Sequence, residues 1–245
     1  MLLCDINCDM GEGIGNDELI MPHITSANIA CGYHAGNEKM MRQTILLAQK
    51  FNVNIGAHPS FFDKENFGRT TMNKTAAEVY ELVKKQVLLL NQIALKCNAT
   101  MHHVKPHGAL YNQAAKDKIL AQAIANAVKD IDEQLIFFGL SGSFLISEAN
   151  RIGLKTASEV FADRTYQDDG SLTPRTQVNA LINDVDDCVK QVLKMISGGK
   201  VKTVSGKEID IVAETICIHG DGEKAVEFAK VIYESLKNKN AGKDA

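Results

Sequence analysis

Asp5, Asn7 and Asp9 occupy alternate positions in DINCDMGEG, so an extended segment would present all three on one face and Cys4, Ile6 and Cys8 on the other. The same spacing recurs in His103, Lys105 and His107, if the chain stays extended through Pro106, and in Cys217, His219 and Asp221. Carboxylates, imidazoles and an ammonium in register are the groups that move protons, polarise carbonyls and bind divalent metals. Asp9, His58 and His107 are the expected metal ligands, a set that would lower the pKa of a bound water. The metal-free reading makes one carboxylate a general base and a histidine the acid for a leaving nitrogen, with Lys105 stabilising an oxyanion. Asp9, Lys105, His107 and Glu159 are then the expected catalytic group.

Each candidate also has a plain structural use. Asp9 or Glu12 could cap a turn in a glycine-rich loop. Glu159 could form a buried pair with Arg164 or Lys105. Arg164 and Arg175 flank DRTYQDDGSLTPR, where two guanidinium groups suit a substrate carboxylate or phosphate, or surface pairs with Asp168 and Asp169. A single histidine is as readily a packing residue as a ligand. However, His34, His58, His107 and His219 all follow expected strand ends, which points to a shared site.

The elements that must position these residues are legible as an alternation of short β-rich runs and longer helical patterns, the mark of a parallel sheet with crossover helices. Seven strands are expected near residues 2–8, 26–31, 53–57, 100–105, 135–139, 155–160 and 215–218. In parallel α/β folds the carboxyl edge of the strands is where loops converge, so the polar rows point to the site. Thr75 and Glu78 form a capping box opening a helix to about residue 96, and further helices are expected near 37–51, 117–128, 184–196 and 222–236. Runs at 201–204 and 209–211 around Ser205-Gly206 read as a β-hairpin near 200–212, outside the main alternation of one (β/α) barrel domain.

Composition narrows the function. The 245 residues are 45% hydrophobic and 23% charged, with a net charge of −3 and no basic cluster, which speaks against nucleic acid and for a small-molecule substrate. No apolar run reaches membrane-spanning length, and the N-terminus lacks the basic start of a secretory signal. Six cysteines without a CxxC pair suit a reduced, cytoplasmic protein. Nucleotide and nucleophile motifs fail: Val201 and Glu208 break a Walker A match around Gly206-Lys207, Asn16 ends a GxGxxG match, and GLSG is one residue short of GxSxG.

Several phrases together are more specific than any one motif: DINCDMGEG at 5–13, NIACGYHAG at 28–36, GAHPS at 56–60, NFGR at 66–69, KPHGALYN at 105–112 and EVFADRTYQDDGSLTPR at 159–175. They resemble the LamB/YcsF family over nearly the whole chain. The resemblance implies a seven-stranded, TIM-like (β/α) barrel of the glycoside hydrolase/deacetylase type. It also implies ATP-dependent hydrolysis of 5-oxo-L-proline to L-glutamate, with Mg2+ accompanying the ATP, and two partners, 5-oxoprolinase subunits B and C. It carries over Asp5, Asn7, Asp9, Glu12, His34, His58, Lys105, His107, Glu159, Asp163, Arg164 and Arg175, among which Asn7, Glu12, His34, Arg164 and Arg175 are the expected substrate-binding residues. Two positions depart from the family pattern: Asn37 and Thr70 stand where the family usually has aspartate and a basic residue. The alternatives are a self-sufficient metal-dependent amidohydrolase or deacetylase, and a non-catalytic substrate-binding subunit.

Overall fold

The computed structural model describes residues 4–220, 222 and 224–241, with side chains to residue 238. Asp221 and the first residues of the run expected at 2–8 lie outside the described residues. Among the described residues there are nine strands: β1 (Asp5–Met10), β2 (Ser26–Ala30), β3 (Asn54–His58), β4 (Met101–Val104), β5 (Ile136–Leu140), β6 (Lys155–Phe161), β7 (Lys200–Lys202), β8 (Glu208–Asp210) and β9 (Thr215–Ile218). Seven of them close a barrel in the order β1-β2-β3-β4-β5-β6-β9, every pair parallel. This is the TIM-like seven-stranded barrel that the alternation predicts.

Around it run α1 (Asp17–Ile20), α2 (Glu38–Phe51), α3 (Ala76–Lys96), α4 (Gly108–Lys116), α5 (Lys118–Ile131), α6 (Phe144–Arg151), α7 (Val185–Gly198) and α8 (Ala225–Ala241). Their apolar stripes pack on the outward faces of the strands: Ile6, Cys8 and Met10 of β1 lie in one buried cluster with Met41 and Ile45 of α2 and Ile232 of α8. The capping box of α3 forms as read, Thr75 N–H donating to Glu78 at 2.8 Å. The helical pattern expected from residue 117 is preceded by a separate helix, α4. Asp117 divides the two, its carboxylate accepting from Ile119 N and Leu120 N to cap α5.

Strand β4 ends at Val104, yet the chain beyond it stays alongside β3, with Lys105 N–H donating to Ala57 O at 3.0 Å and His107 N–H to Pro59 O at 2.8 Å. Proline costs nothing between them, because Pro106 would have had no donor to offer. His103, Lys105 and His107 therefore climb one wall of the barrel. Between β6 and β9 the chain makes a long loop, α7 and the antiparallel β7-β8 hairpin. The hairpin is a brace: Thr203 and Ser205 hydroxyls donate to Asp168 at 2.6 and 2.7 Å, and Val204 N–H donates to Tyr166 O at 2.9 Å. It ties down the loop that rises from the end of β6.

Candidate active site

The inward faces of the strands are largely polar from floor to mouth, with Phe138 and Phe161 as apolar exceptions. At the floor Asp5 accepts from the hydroxyls of Thr25, Ser26 and Thr215. One layer up, Asn28 of β2 donates to Asn7 at 2.7 Å and to Asp9 Oδ1 at 2.9 Å, and Asn7 donates to Thr215 at 2.7 Å. His103 fills the opposite side, 2.8 Å from Asn28 Oδ1 and stacked on Phe138 with centroids 4.2 Å apart. Room for its ring comes from Gly56, where a Cβ would sit 2.3 Å from the imidazole. Asn7, fully buried and bonded on both sides, is floor rather than a group that reaches substrate.

Above this floor stands Lys105, 2% exposed. Its ammonium lies 2.9 Å from Asp9 Oδ1, 3.0 Å from Glu159 Oε1, 3.0 Å from Cys217 Sγ and 3.1 Å from Asn7 Oδ1. Burial alone would lower the lysine pKa, but Asp9, Cys217 and Glu159 outweigh it and hold the group well above the usual range, so it is a permanent cation. Asp9 shows the converse: burial would raise it, and His58 and Lys105 beside it hold its carboxyl well below the usual carboxylate range. Glu159 receives Tyr111 Oη–H at 2.6 Å on its other oxygen. Of the two structural pairings open to Glu159, the one with Lys105 forms. The ammonium has three protons and four acceptors around it, so it fixes the carboxylates more than it reaches outward. Asp9 Oδ2 is left facing the mouth, 3.3 Å from His58 Nε2.

A histidine cluster caps one side of the mouth. His34 and His107 stack at 3.8 Å and 9°, and His58 meets both edge-on. His58 Nδ1 lies 2.7 Å from Lys105 O and His107 Nε2 lies 2.9 Å from Phe67 O. His34 Nδ1 lies 2.9 Å from Ser60 Oγ, whose own proton goes to Phe61 O. The remaining nitrogens turn inward: His107 Nδ1 is 2.8 Å from His58 Nε2, and His34 Nε2 is 3.1 Å from Glu12 Oε1. Burial, reinforced by the neighbouring imidazoles, pushes His34 and His107 well below the ordinary histidine range. Glu12, His34, His58 and His107 offer ligand atoms within 4.8 Å of one another, and Asp9 groups instead with Cys217 and His219. The expected trio of Asp9, His58 and His107 is thus split, with Glu12 and His34 joining the two histidines.

On the other side His219 Nδ1 is held by Asp163 at 2.9 and 3.0 Å, and its ring lies over Phe161. Burial would raise Asp163, and His219 together with Arg175 and Arg164 outweighs it, holding its carboxyl below the usual range. Arg164 does not face the mouth as a free clamp: its guanidinium donates to Ala180 O and Thr173 O at 3.3 and 2.5 Å, pinning the loop. Burial and the charge of Arg175 bring it down to about 10. Arg175 itself is exposed on that loop.

Asn28 and Tyr111 join the site although neither is among the sequence candidates, Cys217 enters only through its polar row, and each carries a faint signal. Asn28 is a polar residue in an otherwise apolar parallel strand, Tyr111 falls within KPHGALYN, and Cys217 alternates with His219. Among the described residues, no helix is long and apolar enough to cross a membrane.

Comparison with known proteins adds a relationship to this geometry. The family model described as LamB/YcsF family matches residues 4–244. The A subunit of 5-oxoprolinase from Shouchella clausii (strain KSM-K16) is 54% identical over 238 residues, covering 95% of this chain and 94% of that one. The crystal structure of a lactam utilization protein from Thermus thermophilus superposes with a TM-score of 0.89 at 37% identity, covering 97% of each chain. A family 4 carbohydrate esterase from Streptomyces lividans shares the fold alone, at TM-score 0.50 and 10% identity over 96% of this chain and 88% of that one.

Proposed function

The chain belongs to the LamB/YcsF family, and from that premise we propose that it is the A subunit of a 5-oxoprolinase. In this reading it hydrolyses the lactam C–N bond of 5-oxo-L-proline to give L-glutamate, with ATP cleaved to ADP and phosphate, in an assembly with subunits B and C. The observation that carries the reading is the 54% identity to a protein of that name across 95% of the chain.

The chemistry asks for a base to activate water, an acid for the ring nitrogen and a group to hold them in register. An unstrained lactam resists water. Transfer of the γ-phosphoryl of ATP to the amide oxygen makes its carbon electrophilic; one water then opens the ring and a second releases phosphate. We assign the base to Asp9. Lys105 and Asn28 lock its Oδ1, which leaves Oδ2 at the mouth with a fixed orientation. Lys105 and Glu159, with Tyr111 behind them, are positioning residues for that carboxylate. The acid is His219 rather than His107, because Asp163 fixes its Nδ1 and leaves Nε2 toward the mouth, whereas both nitrogens of His107 are engaged.

The test is glutamate release from 5-oxoproline by the purified chain, with ATP and subunits B and C supplied or omitted singly. Glutamate is expected only from the complete mixture, with Asp9→Asn and His219→Asn each lowering the rate by about 10²–10⁴-fold while the complex still assembles. No glutamate from a verified complex would overturn the substrate. Glutamate from the chain alone without ATP would replace this reading with a self-sufficient amidohydrolase.

A further inference from the structure

The histidine cluster poses a problem of lone pairs that the catalytic assignment does not use. Carbonyl oxygens only accept, so the proton of His58 must sit on Nδ1, toward Lys105 O, and that of His107 on Nε2, toward Phe67 O. The Ser60 hydroxyl spends its proton on Phe61 O, so His34 must donate to it from Nδ1. In the neutral rings every inward nitrogen is therefore an acceptor: His58 Nε2 faces His107 Nδ1 at 2.8 Å, and His34 Nε2 faces the carboxylate of Glu12 at 3.1 Å. His58 Nε2 also faces Asp9 Oδ2 at 3.3 Å, a further pair of facing acceptors.

We propose that Glu12, His34, His58 and His107 form a binding site for one divalent transition metal, with three imidazole nitrogens and one carboxylate oxygen as ligands. A single cation satisfies all four inward acceptors at once. Each imidazole already carries the outer hydrogen bond that orients a metal ligand, to a backbone carbonyl for His58 and His107 and to a hydroxyl for His34. The turn at Phe67 and Gly68 is shaped for this purpose. Both residues have positive φ, 56° and 69°, and a Cβ on Gly68 would lie 2.8 Å from both His107 and His34, so the Phe67 carbonyl reaches His107 only because glycine follows it. Nitrogen and carboxylate donors in this number suit zinc and its neighbours rather than calcium or magnesium. Ligand atoms about 2.0–2.1 Å from zinc stand roughly 3.3–3.4 Å apart in a tetrahedron, so the His58–His107 pair would part by roughly 0.5 Å on binding. Asp9, whose Oδ1 is held by Lys105 and Asn28 and whose Oδ2 lies 3.3 Å from His58 Nε2, borders the four-residue ligand set without belonging to it.

The experiment is independent of substrate and partners. The purified chain, stripped with chelator and shown by circular dichroism to remain folded, is titrated with Zn2+ and with Co2+. Bound metal is counted by mass spectrometry, and Co2+ is read by its visible ligand-field bands. Expected are one equivalent bound, visible bands indicating nitrogen coordination, and a rise in melting temperature. Glu12→Gln and His107→Asn should each weaken binding at least tenfold, and Asp9→Asn should leave it within threefold. Absence of saturable binding by the folded chain would overturn the site, and binding lost in Asp9→Asn but kept in Glu12→Gln would overturn the ligand set.

Discussion

Replacing Lys105 with methionine tests the central claim about the barrel interior. Methionine keeps most of the stem and removes the charge, leaving Asp9 and Glu159 without the cation 2.9 and 3.0 Å away. Removing one partner of a buried ion pair costs about 3–5 kcal/mol, against about 5–15 kcal/mol for the whole stability of a typical domain. The variant should therefore fold but be weakened. Urea unfolding of wild type and variant at one pH, with chelator present, gives the numbers. A cost under about 1 kcal/mol would show that the ammonium is not the buried counter-ion described here. In the double variant Lys105→Met/Glu159→Gln, which also removes the carboxylate left uncompensated, the cost should be smaller than in Lys105→Met alone.

Two further outcomes follow from the same interior. Gly56→Ala should destabilise by about 1–3 kcal/mol or more, because the added methyl meets a His103 ring pinned between Asn28 and Phe138; thermal unfolding checks it, and a neutral effect would refute the close approach. His34, His103 and His107 are pushed well below 6.5 by burial, so the folded state refuses protons that the unfolded chain accepts. Stability in chelator should be full above that pH and fall below it with a slope approaching about 4 kcal/mol per pH unit, and a flat profile between pH 7.5 and 5.5 would count against the buried neutral imidazoles.

The strands were readable because each polar row alternates with residues that pack on helices, as Asp5, Asn7 and Asp9 do with Ile6 and Cys8. Histidines following strand ends marked the mouth for the same reason. What sequence could not supply was closure. Lys105 on the β3–β4 side meets Glu159 of β6 and Asp9 of β1 only when the sheet closes on itself, so one carboxylate pairing had to be left open between Arg164 and Lys105. Arg164 read as a substrate clamp because its backbone acceptors, Thr173 O and Ala180 O, are set by a loop whose path has no periodic signal. The short helix α4 opens at His107, which is not a capping residue type and makes no side-chain N-cap bond, so it lacks the start signal that made α3 easy to place. His107 is expected in the catalytic group because its alternation with Lys105 is visible, whereas the carbonyl of Phe67 that engages its Nε2 comes from a turn 40 residues away.

The barrel divides its interior between two physical tasks. Between strands and helices lies a dry apolar layer, and burial of that kind supplies most of the favourable free energy of folding. Inside the strands the side chains are polar and largely bonded to one another, an arrangement whose net contribution to stability is small because desolvation offsets its attractions. Losing one polar partner therefore costs through the group left behind, as with Lys105, whereas exchanging a group for a near-isostere that keeps its bonds costs little. Asp9→Asn preserves an oxygen for Lys105 and Asn28 and should leave a stable barrel, which is why its effect on turnover can be read as chemistry. A polar interior supported from outside can hold a buried lysine, two carboxylates and four histidines in fixed positions, and it is those fixed positions that a reaction at the mouth requires.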